Sequence, residues 1–282
     1  MKNKNTIADL RLTAEKIRRR LMEIVYGAKA GHIGGDLSCI NVLTVLYFDT
    51  MQVDPLRPKA NDRDRFIMSK GHCVEALYSV LEARGFLSSE LTDTYGAFGS
   101  LLAGHPTVEV PGVEVNSGAL GHGLSVGVGV ALAAKMDKKS FRTFVLMGDG
   151  EQGEGSIYEA AMSASHYKLD NLVAVIDRNR LQISDTTENV MTLEPIRDRW
   201  EALGWDVLEA NGDDVASLVE AFDAVDYADG KPTLIVSHST KGWGVSLMEN
   251  KLKWHHGVPS QEEYEQAVAE IDARIVQLTQ TE

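Results

Sequence analysis

Along the first segment of the chain, Ile7, Leu10, Ala14, Ile17, Leu21, Ile24 and Ala28 recur at alternating steps of three and four, the period of one helix face. Thr6 and Asp9 place a hydroxyl and a carboxylate where the first turn has orphan amides, so the helix is expected to start there. The glycines of AGHIGGD (30–36) are expected to end it. A second helix is expected after Asp36, through Ile40, Leu43, Leu46 and Tyr47, and Asp54, Pro55 and Pro58 mark a loop. Residues 65–68 read as a short strand, and 71–84 as a helix stopped by Gly85.

Strand and helix patterns then alternate. FRTFVLM (141–147) reads as a buried strand, GDGEQGEG (148–155) as a turn, 156–167 as a helix and LVAVID (172–177) as a second strand. Such a β-α-β unit implies a parallel sheet. A helix near 194–203, a strand at 205–209, a turn at Asn211-Gly212, a helix at 213–227, the strand TLIVSH (233–238) and a helix at 260–278 continue the series. The pattern predicts an α/β fold, a parallel sheet flanked by helices with a helical N-terminal layer, in a single domain over 1–282. The small-residue stretch 118–134 reads equally as a tightly packed core helix and as a close interface.

Composition narrows the function. Apolar residues at 44% and charged residues at 24% are those of a globular chain with a sizeable core. A net charge of −13 argues against a nucleic-acid binder, which needs a basic surface to displace counterions. Anionic sugar phosphates stay within reach, because local donors and a metal outweigh a diffuse negative field. Cys39 and Cys73 form no metal-ligand spacing. The opening residues lack the apolar core of a signal peptide, and no apolar run is long enough for a membrane span, so a cytoplasmic setting is expected.

Gly148-Asp149-Gly150 falls at the end of one expected parallel strand and Asn179 just past the end of the next. Ligands of open parallel sheets bind at that edge. One crossover helix and one strand separate the two sites, so Asp149 and Asn179 face one volume. Both offer oxygen, the donor that Mg²⁺ or Ca²⁺ prefers. The glycines let the backbone approach a diphosphate, and the helix start near Gly155 adds free amides. Alone, Gly-Asp-Gly is more often a tight turn and Asn179 a loop residue; strand, GDG, helix, strand and Asn in that order is far more specific. His32, His72, His105, His122 and His256 each neighbour a glycine, and a single such histidine is most often structural. Five of them in glycine-rich turns fit a site that needs neutral donors and acceptors, and no zinc-ligand spacing accompanies them.

The segment GDGEQGEGSIYEAAMSASHYKLDNLVAVIDRNRLQIS (148–184) resembles the thiamine-diphosphate motif of transketolases. AGHIGGDLS (30–38), SKGHCVEALY (69–78), AGHP (103–106), NSGALGHG (116–123) and WHHGVP (254–259) resemble the other blocks of that family in the same order. The resemblance implies that Asp149 and Asn179 bind the metal (Mg²⁺, Ca²⁺ or Mn²⁺) by side chain and Leu181 by its carbonyl. It places Gly150 and His72 at the diphosphate, and Gly118, Ala119 and Leu120 near the aminopyrimidine. His32, His105 and His256 would bind sugar hydroxyls and relay protons, His256 at the cofactor as well. Glu154 resembles the carboxylate that links paired active sites; read without the family, it is a solvated helix-start glutamate. Two departures from the family pattern, Gly118-Ala119-Leu120-Gly121-His122-Gly123 for Gly-Pro-Leu-Gly-Gln-Gly and His32-Ile33-Gly34 for His-Pro-Gly, bear on substrate choice and remove no cofactor ligand.

In that family the glutamate that activates the aminopyrimidine lies in a second, pyrimidine-binding domain, as do the arginine and serine contacts to the sugar phosphate. Nothing in the sequence matches that domain. The resemblance therefore implies the N-terminal subunit of a split transketolase, active only with a separate C-terminal subunit in an α₂β₂ assembly. Its reaction would move a two-carbon ketol unit from a ketose phosphate to an aldose phosphate. Half of a 1-deoxyxylulose-phosphate synthase and a 2-oxoacid dehydrogenase subunit share GDG…N, and the histidine blocks at 103–106 and 254–259 favour the sugar-binding reading. A non-catalytic cofactor-binding subunit is opposed by the presence of every histidine block.

Overall fold

In the computed structural model, which describes residues 5–280, five strands form one sheet in the order β1-β2-β3-β5-β4 with every pairing parallel. They are β1 (Arg65–Met68), β2 (Thr143–Gly148), β3 (Leu172–Arg178), β4 (Asp206–Asn211) and β5 (Thr233–His238). Residues 1–4 and 281–282 of the expected domain lie outside the described residues. Side chains alternate across the sheet. Phe144, Leu146, Val173 and Val175 enter a core with α1 (Ile7–Ala28), α2 (Ile33–Val45), α3 (Val74–Arg84), α9 (Val215–Asp223) and α10 (Gln261–Gln280). Val145, Met147, Ala174 and Ile176 enter a second core with α5 (His122–Met136), α6 (Gly155–His166) and α8 (Ile196–Ala202). Both faces are covered, which is why β2 and β3 read as unbroken apolar runs. Single turns α4 (Ser89–Thr92) and α7 (Thr187–Val190) complete the set.

The capping box of α1 is present: Asp9 N–H donates to the Thr6 hydroxyl at 3.1 Å, and Thr6 N–H donates to Asp9 at 2.8 Å. The helix ends at Ala28 with Lys29 in the left-handed region, just before the expected segment 30–36 and two residues ahead of its first glycine, Gly31. The second helix starts at Ile33, earlier than expected, and takes in Gly34, Gly35 and Asp36. All of α2 is buried, so no amphipathic stripe marks its start. Gly34 and Gly35 serve close packing there, not a turn. A Cβ at Gly34 would lie 2.5 Å from the Trp254 carbonyl oxygen, and one at Gly35 would lie 2.7 Å from Cys73 Sγ.

The segment 71–84 divides into a 3₁₀ turn (Gly71–Cys73) and α3, ended by Gly85 at φ 89° as expected. Asn211 closes β4 instead of opening a turn, and Asp214 caps a shorter α9 by accepting from Ala216 N–H at 3.2 Å. Among the described residues no helix is long and apolar enough to cross a membrane.

Candidate active site

Strands β2 and β3 run in register with Gly148 opposite Asp177, so Asp149 and Asn179 leave the same edge of the sheet. Both are buried. Asp149 Oδ1 accepts from Gly150 N–H at 2.8 Å, and Oδ2 accepts from Arg180 N–H at 2.5 Å with the Arg178 guanidinium at 3.3 Å. Arg180 reaches Asp149 because it takes φ 68°, a left-handed conformation that is uncommon for a non-glycine residue. Asn179 donates through Nδ2 to Asp177 at 3.0 Å, and its Oδ1 accepts from Leu181 N–H at 3.2 Å. Asp177 is fully buried and receives Lys70 Nζ at 2.5 Å, together with the hydroxyls of Ser38 at 2.6 Å and Ser239. Burial alone would raise its carboxyl, but Lys70 and the two serines hold it below the ordinary carboxylate value.

These residues fit a divalent cation carrying a diphosphate. The donor set is a carboxylate, an amide oxygen and the Leu181 carbonyl, all hard oxygen ligands. That carbonyl accepts from the buried Lys241 Nζ at 3.0 Å, so a cationic group already satisfies it. Lys70 and Lys241 line the same cavity and bring positive charge to it. Burial, with Lys70 nearby, lowers the Lys241 pKa; an anion would restore it. Asp149 is raised by burial and then by Asp177, the penalty a bound cation removes. A Cβ at Gly150 would lie 2.8 Å from Gln182 Nε2, so the backbone there forms one side of a tight cradle. The expected supply of free amides is smaller than it looks in sequence. Glu151 is buried and accepts from Gly121 N–H at 2.8 Å and Gly148 N–H at 2.9 Å, and Gly155 does not line the cavity.

One cavity of about 520 Å³ opens at this edge. Of the residues expected at the site, His32, His72, His105, Gly118, Leu120, Asp149, Gly150, Glu154, Asn179 and Leu181 line it. Ala119 and His256 do not, and both are exposed. His256 packs its ring 4.7 Å from that of His32, while its neighbour His255 takes the wall position. The isolated bridge His32–Gly257 holds the 254–259 turn against the start of α2 and turns His255 inward. His255 stacks on His72 at 5.8 Å, and its Nδ1 accepts from Lys241 Nζ at 2.9 Å, leaving its own proton on Nε2. Burial, with the neighbouring histidines and lysines, lowers the pKa of His32 to about 4. Burial followed by Lys70 takes His72 to about 2, and burial followed by Lys241 takes His255 to about 3. These three rings are neutral at physiological pH, each with one donor and one acceptor nitrogen. His122 lies outside the cavity, its Nδ1 3.1 Å from the Leu120 carbonyl.

Sequence spacing singles out neither His255 nor Lys70, Lys241, Asp177 or Gln182. A signal exists for Lys241. It follows the carboxyl end of β5 and precedes a glycine, much as Asn179 follows β3.

Residues 10–272 match the family described as "Transketolase, thiamine diphosphate binding domain". One subunit of the apulose-4-phosphate transketolase of Phocaeicola vulgatus is 68% identical over 272 residues, covering 96% of this chain and 97% of that protein. A 6-deoxy-6-sulfo-D-fructose transketolase subunit of Clostridium sp. (strain MSTE9) is 39% identical over 265 residues, covering 94% of this chain and 96% of that one. The transketolase from Leishmania mexicana superposes with a TM-score of 0.85 at 28% identity, over 99% of this chain and 46% of that structure. This chain thus spans about half the length of that solved transketolase.

Proposed function

The chain belongs to the transketolase family, with the thiamine-diphosphate-binding fold of that family's N-terminal part, and on that footing we propose that it is the cofactor-diphosphate subunit of a split transketolase. The reaction is the transfer of a two-carbon ketol unit from a ketose phosphate to an aldose phosphate. The observation that carries the proposal is the convergence of Asp149, Gly150, Asn179 and Leu181 with His32, His72 and His105 on one cavity. The 68% identity to a subunit of an apulose-4-phosphate transketolase favours apulose 4-phosphate as the donor.

Thiamine diphosphate, when bound, supplies the nucleophilic carbon and the electron sink for carbon–carbon cleavage. The chain's own residues do the rest. Asp149, Asn179 and the Leu181 carbonyl hold a divalent cation, Mg²⁺ or a similar ion. Lys70, Lys241 and the Gly150 backbone complement the diphosphate, with His72 beside it. Gly118 and Leu120 would contact the aminopyrimidine, and Glu154 lies at the rim toward a second site. Neutral His32 and His255 bind sugar hydroxyls and take the proton from the hydroxyl next to the breaking bond, with His105 lining the same cavity and His256 backing His32 at the rim.

A separate pyrimidine-binding subunit completes the site. Two features support this. The relatives named as subunits match this chain along nearly their whole length. The outward faces of α5 and α6 also expose apolar side chains, among them Val126 and Met162.

Calorimetric titration of thiamine diphosphate with Mg²⁺ into the assembled enzyme tests the site. Asp149→Ala removes the carboxylate from the cation and is expected to weaken binding by at least about tenfold, roughly 1.4 kcal/mol. An unchanged affinity would sink the assignment.

A further inference from the structure

Behind the histidines lies a pair of acids that the proposed chemistry does not use. Asp36 is 0% exposed and Glu75 is 1% exposed. Asp36 stands in the first turn of α2, one turn after His32; Glu75 stands in the first turn of α3, three residues after His72. Asp36 Oδ1 accepts from Ala76 N–H at 3.0 Å, and Glu75 Oε1 accepts from the Tyr95 hydroxyl at 2.5 Å. The other two oxygens, Asp36 Oδ2 and Glu75 Oε2, are buried and have no donor among the described residues. The two carboxyl groups nevertheless lie within hydrogen-bonding reach of each other.

Two bare carboxylates cannot make that contact. Each offers only acceptors, and two like charges at this depth repel strongly. No lysine or arginine among the described residues forms an ion pair with either acid. Lys70, the cation felt at Asp36, is committed to Asp177 and to the Gly35 carbonyl at 3.0 Å. The neighbouring thiols of Cys39 and Cys73 and phenols of Tyr78 and Tyr95 bring no positive charge.

We propose that Asp36 and Glu75 share one proton, an Asp36 carboxylic acid donating to a Glu75 carboxylate, and that this neutral-acid link is a positioning device for the histidine pair His32 and His72. The proton satisfies both orphan oxygens at once and leaves a single negative charge, which the Tyr95 hydroxyl and the Ala76 amide help to hold. Burial, followed by the other member of the pair, raises Asp36 well above the ordinary carboxylate range. Burial raises Glu75 to about 7 against its hydrogen bond from Tyr95. Glu75, which accepts the Tyr95 hydroxyl at 2.5 Å, is the better holder of the charge, so Asp36 is the member that keeps the proton.

The link joins the helix starts that carry His32 and His72, whose ring centroids lie 5.2 Å apart. The Glu75 carboxylate also faces the His32 backbone N–H, and a Cβ at Gly31 would lie 3.2 Å from Glu75 Oε1. Movement of the pair is thus transmitted to the His32 turn. The consequence for substrate rests on the reading of this cavity as the transketolase site; the shared proton does not.

Infrared difference spectroscopy of the full chain with ¹³C-labelled carboxyl groups tests the proton without any activity measurement. At pH 8 the wild type is expected to show a carboxylic-acid carbonyl band. Asp36→Asn, whose amide keeps the donor and acceptor of the protonated acid, should lose the band yet leave the His32 and His72 ring signals in NMR spectra in place. Asp36→Ala should shift both ring signals. Glu75→Gln should abolish the band by leaving Asp36 ionised beside an amide donor. A wild-type spectrum at pH 8 with no acid band would overturn the shared proton, as would a band that survives both Asp36→Asn and Glu75→Gln. Ring signals unmoved in Asp36→Ala, or moved equally in Asp36→Asn, would overturn the positioning role. Loss of ketol transfer with the band intact would count against the transketolase reading and leave the pair standing.

Discussion

His255 and His256 are adjacent in sequence and occupy different surroundings. His255 is half-buried between His72 and Lys241; His256 is exposed and packs against His32. His32→Ala and His255→Ala are therefore expected to lower turnover of the assembled enzyme by roughly 10²-fold, the scale of a lost proton-transfer group. His256→Ala should cost less. Steady-state kinetics on a ketose phosphate is the check, and an equal loss at His256 would put it in the proton path after all. The same surroundings set a pH dependence. Unfolded, each ring takes up a proton near 6.5; folded, His32 does so at about 4 and His255 at about 3. The unfolded state then binds more protons through that window. The stability these rings contribute is full above about pH 6.5 and is lost as pH falls through the folded values. Ring-proton NMR titration reads this directly, and either ring titrating near 6.5 would contradict it.

Among the elements, α2 separates what the sequence pattern reveals from what it hides. Helix α1 was legible because one face meets the core and the other meets water, and β2, β3 and β5 because covered strands are continuous apolar runs. The start of α2 was not, because a helix buried all round has no stripe and its glycines read as a turn. The site follows the same division. Asp149 and Asn179 follow from strand ends and crossover length alone. His255 and Lys70 depend on how α2, α3 and the 254–259 turn approach one another, which no local spacing encodes. Glycines in the two settings should respond differently to alanine. At Gly34 the added methyl meets the backbone carbonyl of Trp254, so Gly34→Ala is expected to destabilise the chain by about 1–3 kcal/mol. At Gly150 it meets the flexible end of Gln182, so Gly150→Ala should leave stability within about 0.5 kcal/mol while weakening cofactor binding. Urea denaturation of both variants distinguishes the cases; equal destabilisation would mean that Gln182 cannot move.

At the scale of the whole molecule, the stretch 118–134 packs as a core helix on one face, and the interface reading is a proposal for the other. Most of it is α5, whose inner face packs Gly127 against Val145 and whose outer face leaves Val126 39% exposed and Met136 75% exposed. On α6, Met162 is 54% exposed. A site completed between subunits needs a contact in the obligate range, about 2,000–5,000 Å². If these outer faces supply it, Val126→Asp should leave the isolated chain as stable as before, within about 0.5 kcal/mol, and abolish assembly in light scattering. Assembly at wild-type concentrations would move the interface elsewhere. The proposed function places cofactor diphosphate and substrate histidines here and draws the groups that activate the aminopyrimidine from a second polypeptide. Its most direct test is a coupled ketol-transfer assay on this chain alone, and then on the chain mixed with a separately expressed pyrimidine-binding transketolase subunit. No transfer by the chain alone and restored cofactor retention and transfer on mixing are expected, and robust ketol transfer by the purified chain alone would contradict the proposed function.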